Sequence, residues 1–286
     1  MRFLLVSTFQ GQTPGSGKVW VVPASREERK DSFVLVAGLQ TPTGVCYDRN
    51  HEFLYVCDPG LQSVLQFEIN TNQGRQFTLA TDQVATIYQG TAPSACAVDG
   101  FGNLYITDSA ANSIEFVNYR DLWTGYVGLN ATLYQGYSET AGIGGPIGIQ
   151  IPNSDILYIA NSRNQEDLGL LDSAPTQQDR GINALSALLR TEHRPQGLAL
   201  SPDLAYYSSS DGTIWAYQYQ GKPSLYLKSV DFFKSPSGLC YSHGNVYIAD
   251  YILGEVFSFP DTPSEKVDSK GFIKVSGAYG LACINS

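Results

Sequence analysis

A repeat that runs along almost the whole chain narrows the choice of folds more than any other feature. Its clearest copy, residues 93–108, reads Pro-Ser-Ala-Cys-Ala-Val-Asp-Gly-Phe-Gly-Asn-Leu-Tyr-Ile-Thr-Asp. It joins a turn of small residues, an apolar strand, a glycine-rich turn and a second strand that ends in a polar residue. Further copies start at Pro42, Pro146, Pro195 and Pro236, between 41 and 53 residues apart. A period of this length predicts a ring or array of small β-sheets.

Two more β-rich runs follow most copies, such as 113–117 and 132–134 after the copy at Pro93. Gly, Asn, Asp and Pro separate the runs, as they do between short strands. Each unit is therefore predicted to be a four-stranded antiparallel meander. The segments 99–103 and 242–245 supply the residues that tolerate positive φ in tight hairpins.

A sixth copy starts at Ala278, close to the end of the sequence, and its remaining strands are predicted at the opposite end, in 3–7, 18–22 and 32–36. The sequence thus predicts one all-β domain, residues 1–286. We expect a six-bladed β-propeller with four-stranded antiparallel blades, the last closed by the N- and C-terminal strands, which would hide two sheet edges. A β-sandwich would not explain six collinear units, and a parallel β-helix would have shorter repeats.

The pattern Pro-x-Gly-apolar-apolar-apolar-Asp followed by Gly-Asn-Leu-Tyr-Ile-x-Asp resembles the NHL repeat, best in residues 42–58, 93–108 and 236–250. NHL domains are commonly six-bladed propellers that bind proteins or, in some members, RNA. The architecture is also similar to that of calcium-dependent lactonases (gluconolactonase, senescence-marker protein and paraoxonase relatives), strictosidine-synthase-like proteins and some lyases. The resemblance implies a fold and leaves the function open.

The charge balance bears on the partners. The chain has 18 basic and 27 acidic side chains, a net charge of −9. Nucleic-acid binding is not expected of such an acidic, soluble chain, because a phosphate backbone favours a basic protein face. Its apolar runs are far shorter than the roughly 20 residues of a membrane-spanning helix. We therefore predict no membrane span and expect protein partners, with a small-molecule ligand as a further option.

The five cysteines are Cys46, Cys57, Cys96, Cys240 and Cys283, and none has zinc-site spacing. All lie in apolar strand-like segments, so buried free thiols and an intracellular location are expected. The first apolar run is shorter than the core of a signal peptide. One bridge, such as Cys46 to Cys57, stays open, as do secretion and an organelle lumen.

Loops on one face of a propeller usually host its ligands: those that enter the innermost strands and those that join second and third strands. The binding candidates on these loops are Tyr137, Arg163, Arg190, His193, Arg194, Phe232, Phe233, Lys234 and Tyr251. Aromatic residues beside basic ones are typical interface anchors. The alternative is that Phe232 and Phe233 pack beneath their loop.

His193, between Glu192 and Arg194, is the candidate for acid–base catalysis, although an exposed loop histidine is more often inert. No nucleophile-elbow motif is present. The recurring polar strand ends are predicted to be structural acceptors of backbone N–H groups rather than metal ligands. They are Asp58, Asp108, Asn161 and Asp250.

The lactonase resemblance implies calcium ligands that project into the channel, some at the x of Pro-x-Gly. Here those residues are Thr43, Ser94, Ile147, Gln196, Ser237 and Tyr279. None is a carboxylate or an Asn, the side chains that hold hard cations, so no metal or cofactor is predicted, with calcium as the alternative. The sequence thus favours a non-enzymatic NHL-like propeller that acts as a protein-interaction platform or assembly subunit. The alternative is a propeller hydrolase, lactonase or lyase that acts on a small molecule at the channel mouth.

Overall fold

The computed structural model describes residues 2–11, 13–25, 27–71, 77–124, 131–135, 144–153, 156–162, 169–176, 186–191, 193–218, 223–227, 233–261 and 271–285. Within these ranges the chain is almost entirely strand and turn. The exceptions are a single six-residue helix, α1 (Tyr119–Thr124), and a short 3-10 turn, Arg29–Asp31. No helix in the described ranges is long and apolar enough to cross a membrane.

The strands have the following bounds. The first half contains β1 Arg2–Thr8, β2 Gly17–Pro23, β3 Phe33–Leu39, β4 Gly44–Asp48, β5 Phe53–Asp58, β6 Ser63–Thr71, β7 Phe77–Leu79, β8 Ala85–Gln89, β9 Pro93–Val98, β10 Leu104–Asp108, β11 Ser113–Val117 and β12 Ala131–Gln135. The second half contains β13 Pro146–Asn153, β14 Ile156–Asn161, β15 Gly169–Pro175, β16 Ser186–Thr191, β17 Pro195–Leu200, β18 Leu204–Ser209, β19 Ile214–Gln218, β20 Pro223–Leu227, β21 Pro236–Ser242, β22 Asn245–Asp250, β23 Glu255–Pro260, β24 Ile273–Lys274 and β25 Ala278–Asn285.

Across the described residues these strands form six antiparallel sheets, five with four strands and one with five. Four sheets are simple meanders of consecutive strands. In the five-stranded sheet, β7 and β8 both pair with β6. In the remaining sheet the order is β25-β1-β2-β3, so a strand from each end of the sequence lies side by side. There Phe3 is opposite Ile284 and Leu5 is opposite Ala282.

The innermost strands bring the sheets together. They are β4, β9, β13, β17, β21 and β25; each contacts the next, and β25 contacts β4. An all-β propeller, predicted from the repeat, is confirmed. The proposed extent of the domain, residues 1–286, stays a prediction.

Both faces of the central strands are covered, which explains their continuous apolar runs. In β5, the side chains of Leu54, Tyr55, Val56 and Cys57 are all fully buried. Alternate residues pack on opposite sides: Leu54 and Val56 join one hydrophobic cluster, and Tyr55 and Cys57 join another. A strand between two neighbouring sheets therefore needs apolar residues at every position rather than at every second one.

Turn chemistry agrees with the sequence at two hairpins. The Asp99 carboxylate oxygen Oδ1 accepts hydrogen bonds from the backbone N–H groups of Phe101 at 2.8 Å and Asn103 at 3.0 Å. In the second hairpin His243 and Gly244 have φ of 49° and 76°. These are the positive-φ positions that the turn residues predicted.

Three cysteines are buried free thiols, as expected, and the one bridge that the sequence left open is present, but not between the example pair Cys46 and Cys57. Cys240 of β21 is bonded to Cys283 of β25, with 5.7 Å between their Cα atoms. Cys46, Cys57 and Cys96 are free and buried. Sequence alone left the pairing open because Cys240 and Cys283 are 43 residues apart and meet only when their two sheets pack.

The helix α1, between β11 and β12, was not predicted. Six residues are too few for a helical period to stand out in the sequence.

The Pro-x-Gly glycines allow the innermost strands to approach closely. A Cβ atom on Gly44 would lie 2.6 Å from the Cα atom of Ala95, and one on Gly238 would lie 2.5 Å from the carbonyl oxygen of Tyr279. For Gly197 and Gly280 the obstructing atoms are the carbonyl oxygens of the next innermost strand. These glycines are thus required by inter-sheet packing rather than by turn geometry.

We expect Gly44→Ala to lower the free energy of unfolding by about 1–3 kcal/mol, because the added methyl group must push backbone atoms of β9 away. Gly148→Ala is the matched control. It lies at the equivalent position in β13, but its added Cβ would be 3.3 Å from the Cβ atoms of Ala160 and Leu198. Thermal unfolding measures both variants. Equal losses would contradict this account.

Candidate functional site

A cavity of about 240 Å³ lies between the innermost strands. Five of the six residues at the x position of Pro-x-Gly line it: Thr43, Ser94, Ile147, Gln196 and Tyr279, which contributes a phenol ring. Among the described residues that line it there is no Asp, Glu, Lys, Arg or His, and its wall presents hydroxyl, amide, thiol and apolar groups.

Hydroxyl groups around this cavity already have partners. Thr43 Oγ1 donates to the carbonyl oxygen of Ser94 at 2.8 Å. Ser237 Oγ donates to the carbonyl oxygen of Tyr279, also at 2.8 Å. Each bond links one innermost strand to the next. These hydroxyls therefore hold neighbouring sheets together, and a ligand would have to displace those bonds to use them.

The recurring strand-end carboxylates hold the loop that enters the innermost strand of the same sheet. Asp108 accepts from the N–H groups of Thr91 at 2.7 Å and Ala92 at 3.0 Å. It also accepts from the N–H of Ala111 at 3.0 Å and the hydroxyl of Tyr88 at 3.0 Å. Burial and the neighbouring Asp108 carboxylate raise the pKa of Tyr88, so its hydroxyl stays a donor.

The other members of the set behave in the same way. Asp250 accepts from the N–H groups of Lys234 and Ser235 at 2.6 and 3.0 Å. Asp58 accepts from those of Gln40 and Thr41 at 2.7 and 2.9 Å. Their predicted structural role is confirmed. Among the described residues, no group of three or more His, Cys, Asp or Glu is arranged to hold a metal ion.

His193 has a partner that the sequence did not indicate. Its Nε2 atom lies 3.3 Å from Oδ2 of Asp211, in the turn between β18 and β19. Both side chains are partly exposed, 39% and 32%. Asp211 Oδ1 also accepts from the hydroxyl of Thr213 at 2.6 Å. This pair could have been predicted. The loop between the second and third strands, which contains Asp211, lies on the same face as the loop that enters the innermost strand, which contains His193.

Tyr251, a predicted binding residue, lies next to the channel mouth. Its ring is 5.0 Å from that of Phe9 and 5.9 Å from that of Tyr279, which lines the cavity. Its hydroxyl accepts a hydrogen bond from the N–H of Gly11 at 3.2 Å. Burial raises the pKa of Tyr279. The three rings form an aromatic cluster that extends from the cavity to the loop surface.

Phe233 corrects the expectation of an exposed interface anchor. Its side chain is only 3% exposed and lies 5.3 Å, ring to ring, from Phe257 and 5.9 Å from Phe259. It packs beneath its loop, as the alternative held. The neighbouring Lys234 is exposed.

The remaining candidates are less informative. Arg194 is half-buried, and its carbonyl oxygen accepts from the N–H of Ser210 at 2.9 Å. Arg190 lies on β16 opposite Leu170. Tyr137, Arg163 and Phe232 lie outside the described residues.

At the ends of the sheets opposite the channel mouth lie apolar side chains that were not predicted from the sequence as binding residues. We define the aromatic surface as Phe53, Val84, Phe101, Tyr119 and Trp123. Trp123 and Phe101 are 66% and 67% exposed, and Val84 is 50% exposed. The rings of Phe53 and Trp123 are 5.9 Å apart, and both residues line a groove of about 370 Å³.

The groove of the aromatic surface contains one charged side chain among its lining residues. It is lined by Phe53, Gln66, Glu68, Thr81, Gln83, Val84, Ala85, Leu122 and Trp123. Glu68 is the charged member of this set and is exposed. The remaining polar members are amides and a hydroxyl, so the groove offers an apolar contact beside hydrogen-bond acceptors and one negative charge.

The fold is similar to those of several solved structures. A chain of a nidogen/laminin complex aligns with a TM-score of 0.74 and 16% identity, over 99% of this chain and 98% of that chain. A gluconolactonase from Xanthomonas campestris aligns with 0.65 and 14%, over 96% and 86%. A virginiamycin B lyase from Staphylococcus aureus aligns with 0.54 and 11%, over 92% and 73%. At these identities the likeness shows the fold alone.

No protein-family model and no curated protein matches the chain. The resemblance of its repeat to the NHL repeat therefore stays a prediction.

We expect Asp108→Ala to lower the free energy of unfolding by about 3 kcal/mol, because it leaves buried N–H groups without an acceptor. Asp82→Ala makes the same change of charge at an exposed position and serves as the control. Chemical denaturation measures both. Similar unfolding midpoints for the two variants would show that the carboxylate does not hold the loop.

Proposed function

We propose that this protein is a non-enzymatic, NHL-like binding propeller, in which each sheet is one blade of a six-bladed ring closed by β25 and β1. In this proposal it serves as an interaction platform or assembly subunit. The observation that carries the proposal is the aromatic surface, whose Trp123 is two-thirds exposed. Large exposed aromatic groups are unusual on a protein without partners, and Trp is enriched among the residues that dominate interface energetics.

The channel mouth supports the same proposal from the other side. Its wall is neutral, and the hydroxyls of Thr43 and Ser237 are used between sheets. This leaves few groups to bind an ion or to move a proton there. A neighbour in fold belongs to a complex of two proteins, which fits a binding role, whereas two others are enzymes.

The groove favours a partner segment that carries an apolar side chain next to a Lys or Arg. Leu122 and Trp123 would contact the apolar group, and Glu68 would pair with the cation. The net charge of −9 attracts a basic partner at longer range. Burying a Trp at the centre of such a contact contributes about 2 kcal/mol or more.

We expect Trp123→Asp to abolish capture of the principal partner from native extract, because it places a charge where an apolar group must be buried. Ile252→Asp is the matched control: Ile252 is 67% exposed, on the opposite face, and gains the same charge. Quantitative pull-down with mass spectrometry compares both variants with the wild type. If only Ile252→Asp fails to capture the partner, the contact lies on the face that carries Tyr251 instead. Retention by both variants would reject both surfaces.

A second candidate function is hydrolysis or lyase chemistry centred on His193. The observation that favours it is the 3.3 Å pair with Asp211, because a carboxylate orients an imidazole and stabilises its protonated form. Against it, the hydroxyl of Thr213, which contacts Asp211, already donates to that carboxylate and accepts from Trp215 Nε1, so it is not a free nucleophile.

For the binding function, we expect purified protein to leave lactone and ester substrates unchanged, with or without added calcium. His193→Ala should then behave like the wild type in every assay. The assay measures the rate of substrate turnover as a function of protein concentration. Calcium-dependent turnover, or turnover lost in His193→Ala, would replace the binding proposal with the catalytic one.

A further inference from the structure

Three free thiols form a cluster that the proposed function does not use. Cys46 lies on β4, Cys57 on β5 and Cys96 on β9, and all three are buried. The side chain of Cys96 is within hydrogen-bonding reach of both other thiols. Its Sγ atom is 3.9 Å from the carbonyl oxygen of Tyr55. Three thiols in one hydrophobic cluster are more than packing requires, since any small apolar residue would fill the same space.

Two of these thiols border open space. Cys46 and Cys96 line a second cavity between the innermost strands, of about 300 Å³, while Cys57 is fully buried. Water-sized molecules occupy roughly 30 Å³ each in the liquid. Hydrogen peroxide is only slightly larger than water, so it fits where a bulky oxidant would not.

The disulfide provides a structural precedent on the same wall. Cys240 and Cys283 also line this cavity and join adjacent innermost strands, β21 and β25. Cys46 is opposite Tyr55 in its sheet, and Cys240 is opposite Tyr247 in its own. Cys46 therefore occupies in β4 the register position that Cys240 occupies in β21. Cys96 lies on β9, the innermost strand next to β4, two residues before Val98, which occupies the register position of Cys283.

Hydrogen bonding makes Cys96 the nucleophile of the three. Burial opposes the thiolate form of every member and raises the pKa of Cys46 and of Cys57. At Cys96 the hydrogen bonds from the two other thiols oppose the effect of burial and lower the pKa. A thiolate beside a second cysteine is the arrangement found in cysteines that react with peroxide.

We propose that Cys96 is a peroxide-reactive thiol and that Cys46 resolves its oxidised form, producing a second inter-sheet disulfide between β4 and β9. The Cys96 thiolate attacks one peroxide oxygen, the O–O bond breaks, and Cys96 becomes a sulfenic acid as hydroxide leaves. The Cys46 sulfur then attacks the Cys96 sulfur and displaces that hydroxyl group, which leaves as water with the Cys46 proton. In sum, two thiols and one hydrogen peroxide give one disulfide and two waters.

Position selects Cys46 over Cys57 as the resolving residue. Cys46 shares the cavity wall with Cys96 and lies on the neighbouring innermost strand. Cys57 lies on the second strand of its sheet, away from the cavity. In this scheme Cys57 remains a thiol and acts by hydrogen bonding to Cys96.

The test treats the full chain with one equivalent of hydrogen peroxide, alkylates the remaining thiols and maps tryptic peptides without reduction. Arg49 and Arg75 separate the three cysteines into different peptides, so each linkage is identified directly. We expect free thiols to fall from three to one per chain and a Cys46–Cys96 peptide pair to appear. In Cys46→Ser, dimedone should label Cys96, while Cys57→Ser should still form the bridge.

Three results would overturn the proposal: three free thiols after treatment, a Cys57–Cys96 linkage, or sulfinic acid at Cys96 without a bridge. The wild-type map does not depend on any variant, so a variant that fails to fold leaves the test intact. Failure here would not affect the binding proposal, which rests on a different surface.

Discussion

The structure depends on how closely the backbones of neighbouring innermost strands approach one another. Gly44, Gly197, Gly238 and Gly280 leave no space for a Cβ atom beside the next strand. Because the strands are this close, side-chain hydroxyls such as that of Thr43 reach carbonyl oxygens of the adjacent sheet. The same approach stacks the sheets face to face, and so the apolar runs of their central strands are buried on both sides.

That packing also determines where recognition can take place. Close inner strands use their polar groups on one another, and the strand-end carboxylates are used on loop N–H groups, as at Asp108. The described residues that line the cavity include no Asp, Glu, Lys, Arg or His. The side chains free to contact another molecule are therefore those at the ends of the sheets, and among the described residues the most exposed aromatic ones are Phe101 and Trp123.

Features that depend on short stretches of chain were predictable. The alternation of strands and turns follows from the repeat, and the Asp99 hairpin follows from its own residues. Features that depend on contacts between segments distant in the sequence were not. Whether Phe233 points inward, which cysteine meets Cys240 and which carboxylate faces His193 are decided by partners up to 43 residues away. A repeat fixes the elements but leaves open which side chains meet where two elements touch.

The fourth repeat shows how one substitution changes a loop. Ser209 is opposite Pro195, as Asp108 is opposite Pro93, but its hydroxyl is buried with no hydrogen-bond partner among the described residues. A hydroxyl has one oxygen, whereas the two carboxylate oxygens of Asp108 each accept from a different loop N–H group. In the described part of the loop before β17, Ser209 therefore does not supply the bonds that Asp108 gives to the loop before β9. His193 lies in this loop and is positioned instead by Asp211, so the departure from the repeat and the histidine–carboxylate pair occur in the same sheet.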